Sequence, residues 1–386
     1  MIAYNPIWLD AILIKDQAEQ WHDDGLLYPE QWESVQNEYP SPFYSPNIFV
    51  RIGLAIFCLV LLIAAIGLTA LLTSPDSTAG VGMLCLLASA CCFVLLEVWI
   101  IPTAKHRGSG IDDMLLYVGT GTFIGAFWAF MSESVDSAVP YALVALPVLL
   151  IAGFRYVDRL VVVAAFCCGY ALIFLIVKDV QPGLIVFLPL SCMVYAAVVY
   201  YFVVNARSKH AFRYWDGALG MVELAALIAF YASGNYYMIR EILTFEMQIE
   251  NIPMEWFFWV FTFVVPLIYI YFGWRRKNHI LLDIGITAVA AALGTFRYYH
   301  SVLPLAWAAS VGGAVLFVIA YFAIRYLNTG AAEGYTYVDN SGKNLLQEAQ
   351  EQLIEQTIGS QAPPPTRKAG DFGDGQFGGG GSGGEF

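Results

Sequence analysis

The chain has 386 residues, of which 59% are hydrophobic, 15% aromatic and 13% charged. A soluble globular domain has about 45–50% apolar and about 25% charged residues, so this composition excludes an ordinary soluble enzyme and a disordered chain. The formal net charge of −12 excludes a nucleic-acid-binding protein, because such proteins need a basic surface. The sequence therefore predicts an all-α, polytopic membrane protein.

The negative charge is concentrated at the two ends of the chain. Residues 1–50 contain eight acids and one base, and residues 327–386 contain eight acids and three bases. The apolar stretch between them, 51–326, contains fifteen of each sign. The membrane-embedded part is therefore predicted to be electrically balanced, with two acidic ends outside it.

The N-terminal segment, 1–47, is predicted to be cytoplasmic and to form two short helices. Asn5-Pro6 opens the first helix, and Gly25 ends it. Pro29 opens the second helix at an early position, where proline is favoured. The segment lacks the basic n-region of a secretory signal peptide, so none is expected here.

One stretch of this segment has a recognisable pattern: Trp21-His22-Asp23-Asp24-Gly25-Leu26-Leu27-Tyr28-Pro29-Glu30-Gln31, followed by Tyr39. It resembles the N-terminal signature of a bacterial family of predicted membrane proteins catalogued as domain of unknown function 2157. That signature consists of a Trp, a Gly, an aliphatic pair, a Glu-Gln pair and a closing Tyr, followed by many spans. The resemblance implies a bacterial membrane location. It implies no catalytic residues, because that family has no established activity.

Ten apolar runs are read as membrane-spanning helices, which need roughly 20 residues; the fourth is short and contains Pro140 and Pro147. Because backbone polar groups in lipid must be satisfied within the element, these runs are expected to be helices. Residues 48–326 are thus predicted to form a bundle of about ten spans. The runs are 48–73, 79–101, 112–131, 138–154, 157–177, 182–204, 214–233, 255–274, 279–297 and 302–325.

The loops between these runs alternate in their content of Lys and Arg. Five alternate loops contain three such residues in all, and the other four contain ten. Cytoplasmic loops are enriched in Lys and Arg, so the alternation predicts that both termini are cytoplasmic. Together with the family resemblance, this predicts a multi-pass protein of the bacterial inner (plasma) membrane.

Two outer segments are expected to lie at the membrane surface. The loop 234–254 mixes apolar side chains with charged ones, which is typical of a helix lying in the interface. A solvated loop is the alternative for it. The run Arg297-Tyr298-Tyr299-His300 is interpreted as part of an interfacial aromatic belt.

Three carboxylates inside the spans are the candidate functional residues: Glu223, Glu97 and Asp283. Ionisable side chains within a membrane are costly, so each is a functional hypothesis. We place Glu223 close to the midplane. One interpretation is a protonatable or cation-binding site; the other is a set of structural carboxylates that neighbouring side chains hydrogen-bond. Three further acids, Asp112, Asp113 and Asp216, are expected at cytoplasmic entrances, where water solvates them.

The C-terminal part divides into a helical stretch and a tail. In 327–361, an amphipathic helix is predicted at 342–358, and its apolar stripe is expected to pack on the N-terminal helices, another copy or a protein partner. Residues 362–386 begin with prolines and continue with a glycine-rich sequence that cannot form a core. This tail is expected to be flexible, or else captured by a partner through Phe386 and its carboxylate.

No catalytic motif, cofactor motif or metal-ligand spacing occurs in the sequence. The seven cysteines all lie in apolar runs and are interpreted as small packing residues. The predicted function is that of a membrane sensor, scaffold or assembly factor that acts through its cytoplasmic ends. The alternative is a small-solute or ion transporter with a membrane-embedded carboxylate. No convincing repeat relates spans 1–5 to spans 6–10, which weighs against the transporter.

Overall fold

A computed structural model describes residues 2–23, 26–180, 187–246 and 254–300, together with isolated residues between 310 and 325. All regular elements in these ranges are helices, apart from one isolated bridge that pairs Tyr44 with His106. The chain divides into two units, Met1–Gly342 and Lys343–Phe386, and the second lies outside the described residues. The predicted all-α class is confirmed.

Twelve α-helices follow one another along the described part of the chain. Two lie in the N-terminal segment, and the fourth, seventh and tenth each continue into a short π-helical turn, at Leu95–Ile100, Ile176–Val180 and Ile242–Glu246. A 3₁₀ turn at His210–Trp215 precedes the ninth helix. The helices are α1 (Pro6–Asp23), α2 (Pro29–Glu38), α3 (Ile48–Thr73), α4 (Thr78–Val94), α5 (Ile111–Met131), α6 (Val139–Tyr156), α7 (Arg159–Leu175), α8 (Leu188–Arg207), α9 (Asp216–Gly234), α10 (Tyr236–Glu241), α11 (Glu255–Arg276) and α12 (His279–Tyr299).

Nine of the helices in the described ranges are long and apolar enough to cross a membrane, so the chain is a multi-pass membrane protein. They correspond one by one to the first nine predicted spans. The short fourth span is confirmed as α6, although Pro147 lies within it. The tenth predicted span, 302–325, and the predicted helix at 342–358 lie outside the continuously described residues.

The spans pack mainly as antiparallel hairpins, in which α4 pairs with α5, α6 with α7, α8 with α9 and α11 with α12. Helix α9 is central, because it also contacts α7, α11 and α12. More than half (56%) of its most apolar stretch is buried, whereas Cys58 is the single buried side chain of α3. Helix α3 is therefore peripheral, and its large apolar side chains are left for lipid.

The close approach of α11 and α12 depends on two glycines. A Cβ atom on Gly273 would lie 2.7 Å from the Leu282 nitrogen, and one on Gly285 would lie 2.9 Å from the Ile270 nitrogen. Real Cβ atoms do not approach backbone that closely. Small residues thus let two helical backbones pack together, as is common within membranes.

The helix starts follow local capping chemistry. Side chains of Asn47, Asp158 and Asn278 each accept a hydrogen bond from the backbone of the first helical turn, at Val50, Val161 and Leu281 respectively. In the second N-terminal helix, the Gln31 side chain accepts from the Tyr28 nitrogen. The predicted pair of N-terminal helices is therefore present as α1 and α2.

Candidate functional site

Glu223 is almost fully buried, with 1% of its surface exposed. Its Oε2 accepts a hydrogen bond from Arg207 Nη1 at 2.5 Å, and its Oε1 accepts one from Asn278 Nδ2 at 2.8 Å. Asn278 is the N-cap of α12. The side chain therefore lies level with the start of α12, rather than halfway along the spans as its sequence position suggested.

Arg207 joins two carboxylates. It is the last residue of α8, and its guanidinium also binds Asp216, the first residue of α9, at 2.8 Å and 3.2 Å. Asp216 and Glu223 lie seven residues apart and so share one face of α9. Proton uptake by Glu223 would break this ion pair. The geometry therefore favours a structural carboxylate.

Glu97 belongs to a different cluster. It lies in the π-helical turn that ends the second span, and both of its oxygens accept hydrogen bonds from Arg155, at 2.7 Å and 2.8 Å. The Tyr156 hydroxyl donates a third hydrogen bond to Glu97. A π-helical turn is often found at functional sites. Here it turns the carboxylate toward a bidentate arginine at the end of α6.

Asp283 shares no hydrogen-bonding partner with Glu97 or Glu223. Its side chain is exposed on α12 and lines a cavity of about 610 Å³ between α9, α10 and α12. Small residues such as Ala291 and Gly294 line the cavity, together with the polar side chains of Asn235 and Tyr298. The structure thus distributes the three predicted carboxylates over three places.

Sequence reasoning missed the contacts of the N-terminal segment (residues 2–23 and 26–47) with the loops of the bundle. We call the loops 101–110, 155–159, 207–216 and 275–278, counted with the adjoining helix ends, the basic face. In the first contact, Asp10 on α1 accepts hydrogen bonds from Arg213, at 2.9 Å and 3.0 Å, and from the Tyr214 hydroxyl. Opposite charge between an acidic end and basic loops was the available signal, but nothing in the sequence indicates which residues pair.

Aromatic side chains make the second contact. The Lys105 ammonium lies 5.4 Å from the centre of the Trp8 ring, and the Arg107 guanidinium lies 5.8 Å from that of Tyr4. Backbone hydrogen bonds join Ala3 to Arg155 and Tyr44 to Lys105. Tyr4 and Leu9 belong to the same buried cluster as Leu96 and Leu115 of the bundle. The N-terminal segment is thus part of the core, not an appendage.

This contact changes the electrostatics of its two central groups. Tyr4 has 7% of its surface exposed. Burial raises the pKa of Tyr4, and the charge of Asp112 adds to that shift. Burial also lowers the pKa of Arg107, although the neighbouring Tyr4 opposes this. Because burial disfavours charged forms, this contact favours neutral Tyr4.

Asp112 is buried, which contradicts the expectation that water solvates this carboxylate at the entrance of a span. It has 3% of its surface exposed and accepts hydrogen bonds from the backbone of Gly108 and Ser109. The Ser109 hydroxyl also donates to it and lies 2.7 Å from His106 Nδ1. The carboxylate bonds to the serine rather than to the histidine, so this is a loop-capping network and not a catalytic triad. Asp113 is paired with Arg51 at 2.6 Å.

The opposite face of the bundle also differs from expectation. Residues Tyr236, Ile239 and Leu243 of the predicted interfacial helix are buried by the bundle, with 1–2% of their surface exposed. Tyr236 stacks on Trp259 with ring centres 4.5 Å apart, and Arg240 lies 4.9 Å from the centre of Tyr299. The segment is therefore helical but turns its apolar side inward. Residues 247–253 lie outside the described part.

No group of three or more His, Cys, Asp or Glu residues in the described ranges is arranged to hold a metal ion. No protein-family model matches the chain, and neither does any curated protein or solved structure at a significant level. The resemblance of residues 21–39 to the family with domain of unknown function 2157 therefore stays a prediction.

Proposed function

We propose that the chain is a bacterial inner-membrane sensor, scaffold or assembly factor that acts on partners through its cytoplasmic ends. The observation that carries this proposal is the two-sided N-terminal segment. One side is fastened to the basic face through Asp10, Trp8 and Tyr4. Such a segment can report the state of the bundle to a partner, or hold a partner against the membrane.

The other side of the segment leaves large apolar side chains uncovered. Leu26 and Tyr28 are 69% and 75% exposed, and Trp21 is 47% exposed. They lie among the acidic residues of a stretch that contains eight acids and one base. Exposed apolar side chains with a polar rim are typical of protein interaction surfaces. A second route to a partner is proposed through the helix at 342–358 or the glycine-rich tail.

The arrangement of the loops supports the proposed orientation. The N-terminal segment contacts three of the loops that the sequence counts as basic, around Lys105, Arg155 and Arg213. On the opposite side, Thr78 bonds to Glu133 and Ser137 bonds to Asp179, which joins three loops poor in Lys and Arg. A reporter fused to the C-terminus tests the orientation: activity only in the periplasm would contradict it.

Site-specific photo-cross-linking tests the partner proposal. A photoreactive residue at Leu26 or Tyr28 of the full-length chain in its native membrane is expected to capture one defined protein. Leu71 on peripheral α3, which is 75% exposed, is the matched control position and is expected to capture lipid only. Leu26→Asp should remove both the captured protein and the cellular phenotype of the chain. Equal labelling at all positions, or no effect of Leu26→Asp, would contradict the proposal.

Truncation tests the C-terminal route. Deletion of 327–386 is expected to remove a co-purifying partner if that end binds one. If the deletion leaves both the partner and the phenotype unchanged, the C-terminal route fails while the N-terminal route stands.

A transporter is the second candidate, and one observation favours it: the cavity of about 610 Å³ that Asp283 lines. The ion pairs of Glu97 and Glu223 weigh against their use as proton carriers. Proteoliposomes containing the full-length chain are expected to show no coupled proton or cation flux. Flux that Asp283→Asn or Glu223→Gln abolishes would replace the scaffold proposal with the transporter.

A further inference from the structure

Besides the cavity that Asp283 lines, a groove lies in the half of the bundle that adjoins the basic face. It has a volume of about 250 Å³ and runs between α8, α9 and α11. Its floor is made of small or fully packed residues, because Ala196 and Ala226 have no exposed surface and Leu227 has 4%. Its walls are half-exposed side chains, Ile268 at 43% and Phe272 at 38%.

The length of the groove is apolar. Tyr269 lines it, but its hydroxyl donates to the Leu227 carbonyl and is therefore already satisfied. No carboxylate lines the groove among the residues that the structure describes. An occupant must therefore present a hydrocarbon surface to most of this groove, because a polar group there would lose its hydration without gaining a partner.

The mouth of the groove, in contrast, is cationic. Arg276 lines it, lies 5.4 Å from the centre of the Phe272 ring and adjoins the Tyr200 hydroxyl. Within the described ranges, Arg276 has no carboxylate within ion-pair distance. The nearby Glu223 already accepts from Arg207 and Asn278, so both of its oxygens have partners.

We propose that this groove binds an anionic phospholipid, with one acyl chain along the groove and the phosphate at Arg276. Eight residues of α11 separate Arg276 from Ile268, a rise of about 12 Å, so the charged mouth and the apolar walls can hold the two parts of one molecule. A guanidinium is suited to bind phosphate oxygens. Basic pockets between spans on the cytoplasmic side are a recurrent form of lipid site.

Native mass spectrometry of the full-length protein in mixed micelles tests this proposal. The probes are phosphatidylglycerol and phosphatidylcholine with identical acyl chains. We expect the wild type to retain phosphatidylglycerol, and Arg276→Gln to lower that retention about tenfold, as loss of a charge-assisted hydrogen bond implies. Arg275→Gln is the matched control, since Arg275 bonds to Tyr271 and does not line the groove. It should leave the retention within about twofold of the wild type.

Two further variants separate a lost site from a misfolded protein. Ala197 is an exposed residue of the wall, so Ala197→Phe should fill the groove and lower retention while the Arg276 charge is kept. Arg276→Lys should keep most of the retention. Inorganic phosphate should not displace the lipid, because phosphate cannot fill the groove. Equal effects of Arg275→Gln and Arg276→Gln, no effect of Ala197→Phe, equal retention of both lipids, or displacement by inorganic phosphate would each overturn the proposal.

Discussion

The two ends of the bundle are held together by different chemistry. At the basic face, guanidinium groups join carboxylates: Arg207 joins Asp216 and Glu223, and Arg213 joins Asp10. At the opposite end, a neutral network joins α9 to α12: Asn235 donates to Tyr231 at 3.0 Å and to Thr295 at 3.2 Å.

The two kinds of network differ in the cost of losing one partner and in their response to salt. A buried ion pair leaves an uncompensated charge when one partner is lost, whereas a neutral network leaves an unsatisfied dipole. Ion pairs near the surface also respond to salt, and neutral hydrogen bonds do not. The basic face should therefore be the end whose structure depends on ionic conditions.

Arg207→Ala should have the largest effect. It would leave Glu223, which is 1% exposed, with a buried charge and without its ion-pair partner. We expect the free energy of unfolding to fall by about 3–5 kcal/mol, measured by denaturant titration in detergent. The double variant Arg207→Gln/Glu223→Gln removes both charges and should recover much of that loss. A fall below about 1 kcal/mol for Arg207→Ala would show that the pair is solvated.

Asn235→Ala should have the next largest effect, and it tests the neutral network at the opposite end. Loss of the amide leaves Thr295 and the start of α10 without their partner, so the free energy of unfolding should fall by about 1–3 kcal/mol. The same titration at low and high salt should give the same difference. Thr287→Ala is the control, because that hydroxyl bonds only to its own helix. A salt-dependent loss for Asn235→Ala would remove the distinction between the two ends.

Asp10→Asn tests the salt response of the basic face. The Asp10 and Arg213 side chains are 40% and 34% exposed, so salt should screen their attraction. Hydrogen–deuterium exchange of α1 in the wild type should become faster as the salt concentration rises. Asp10→Asn should exchange faster at low salt and lose most of this dependence. Asp23→Asn, the same charge change on the same helix, should behave as the wild type; if it matches Asp10→Asn, only net charge matters.

Tyr4→Phe should have the smallest effect, and only at high pH. Burial raises the pKa of Tyr4 in the folded protein above its usual value of about 10. The stability that neutral Tyr4 contributes is thus fully present below about pH 10 and is lost as the pH rises further. The protection of the α1 amides, which is the intrinsic exchange rate divided by the observed rate at the same pH, should therefore fall above about pH 10 in the wild type and less so in Tyr4→Phe. Identical pH profiles would show that Tyr4 does not control the docking of α1.

Much of the fold could be predicted from the sequence because lipid imposes a simple rule. A long apolar run such as 48–73 must satisfy its backbone internally, so a helix at Ile48–Thr73 follows from composition alone. The helix starts were equally local, since Pro29 and Asn278 act within one turn. The segment 234–254 was harder, because the same amphipathic pattern suits a lipid surface and a protein groove. Only the packing of Tyr236 on Trp259 distinguishes the two.

The candidate site was less predictable, because the cost of a buried carboxylate indicates that a partner must exist but not which one. Glu223 and Glu97 have the same signature in sequence, and Arg207 and Arg155 are 16 and 58 residues away from them. Asp112 and Asp113 are neighbours, yet one is buried in a loop network and the other pairs with α3. Such differences depend on which helix ends meet.

By itself, the sequence determined that this is an all-α membrane protein with acidic ends and a neutral interior, because span length, hydropathy and charge are properties of single segments. The tertiary structure alone decided which charges meet, that α1 completes the core, and that an apolar groove ends at Arg276. The physical reason is that ion pairs and grooves form between segments far apart in the chain, and no local pattern specifies their partners.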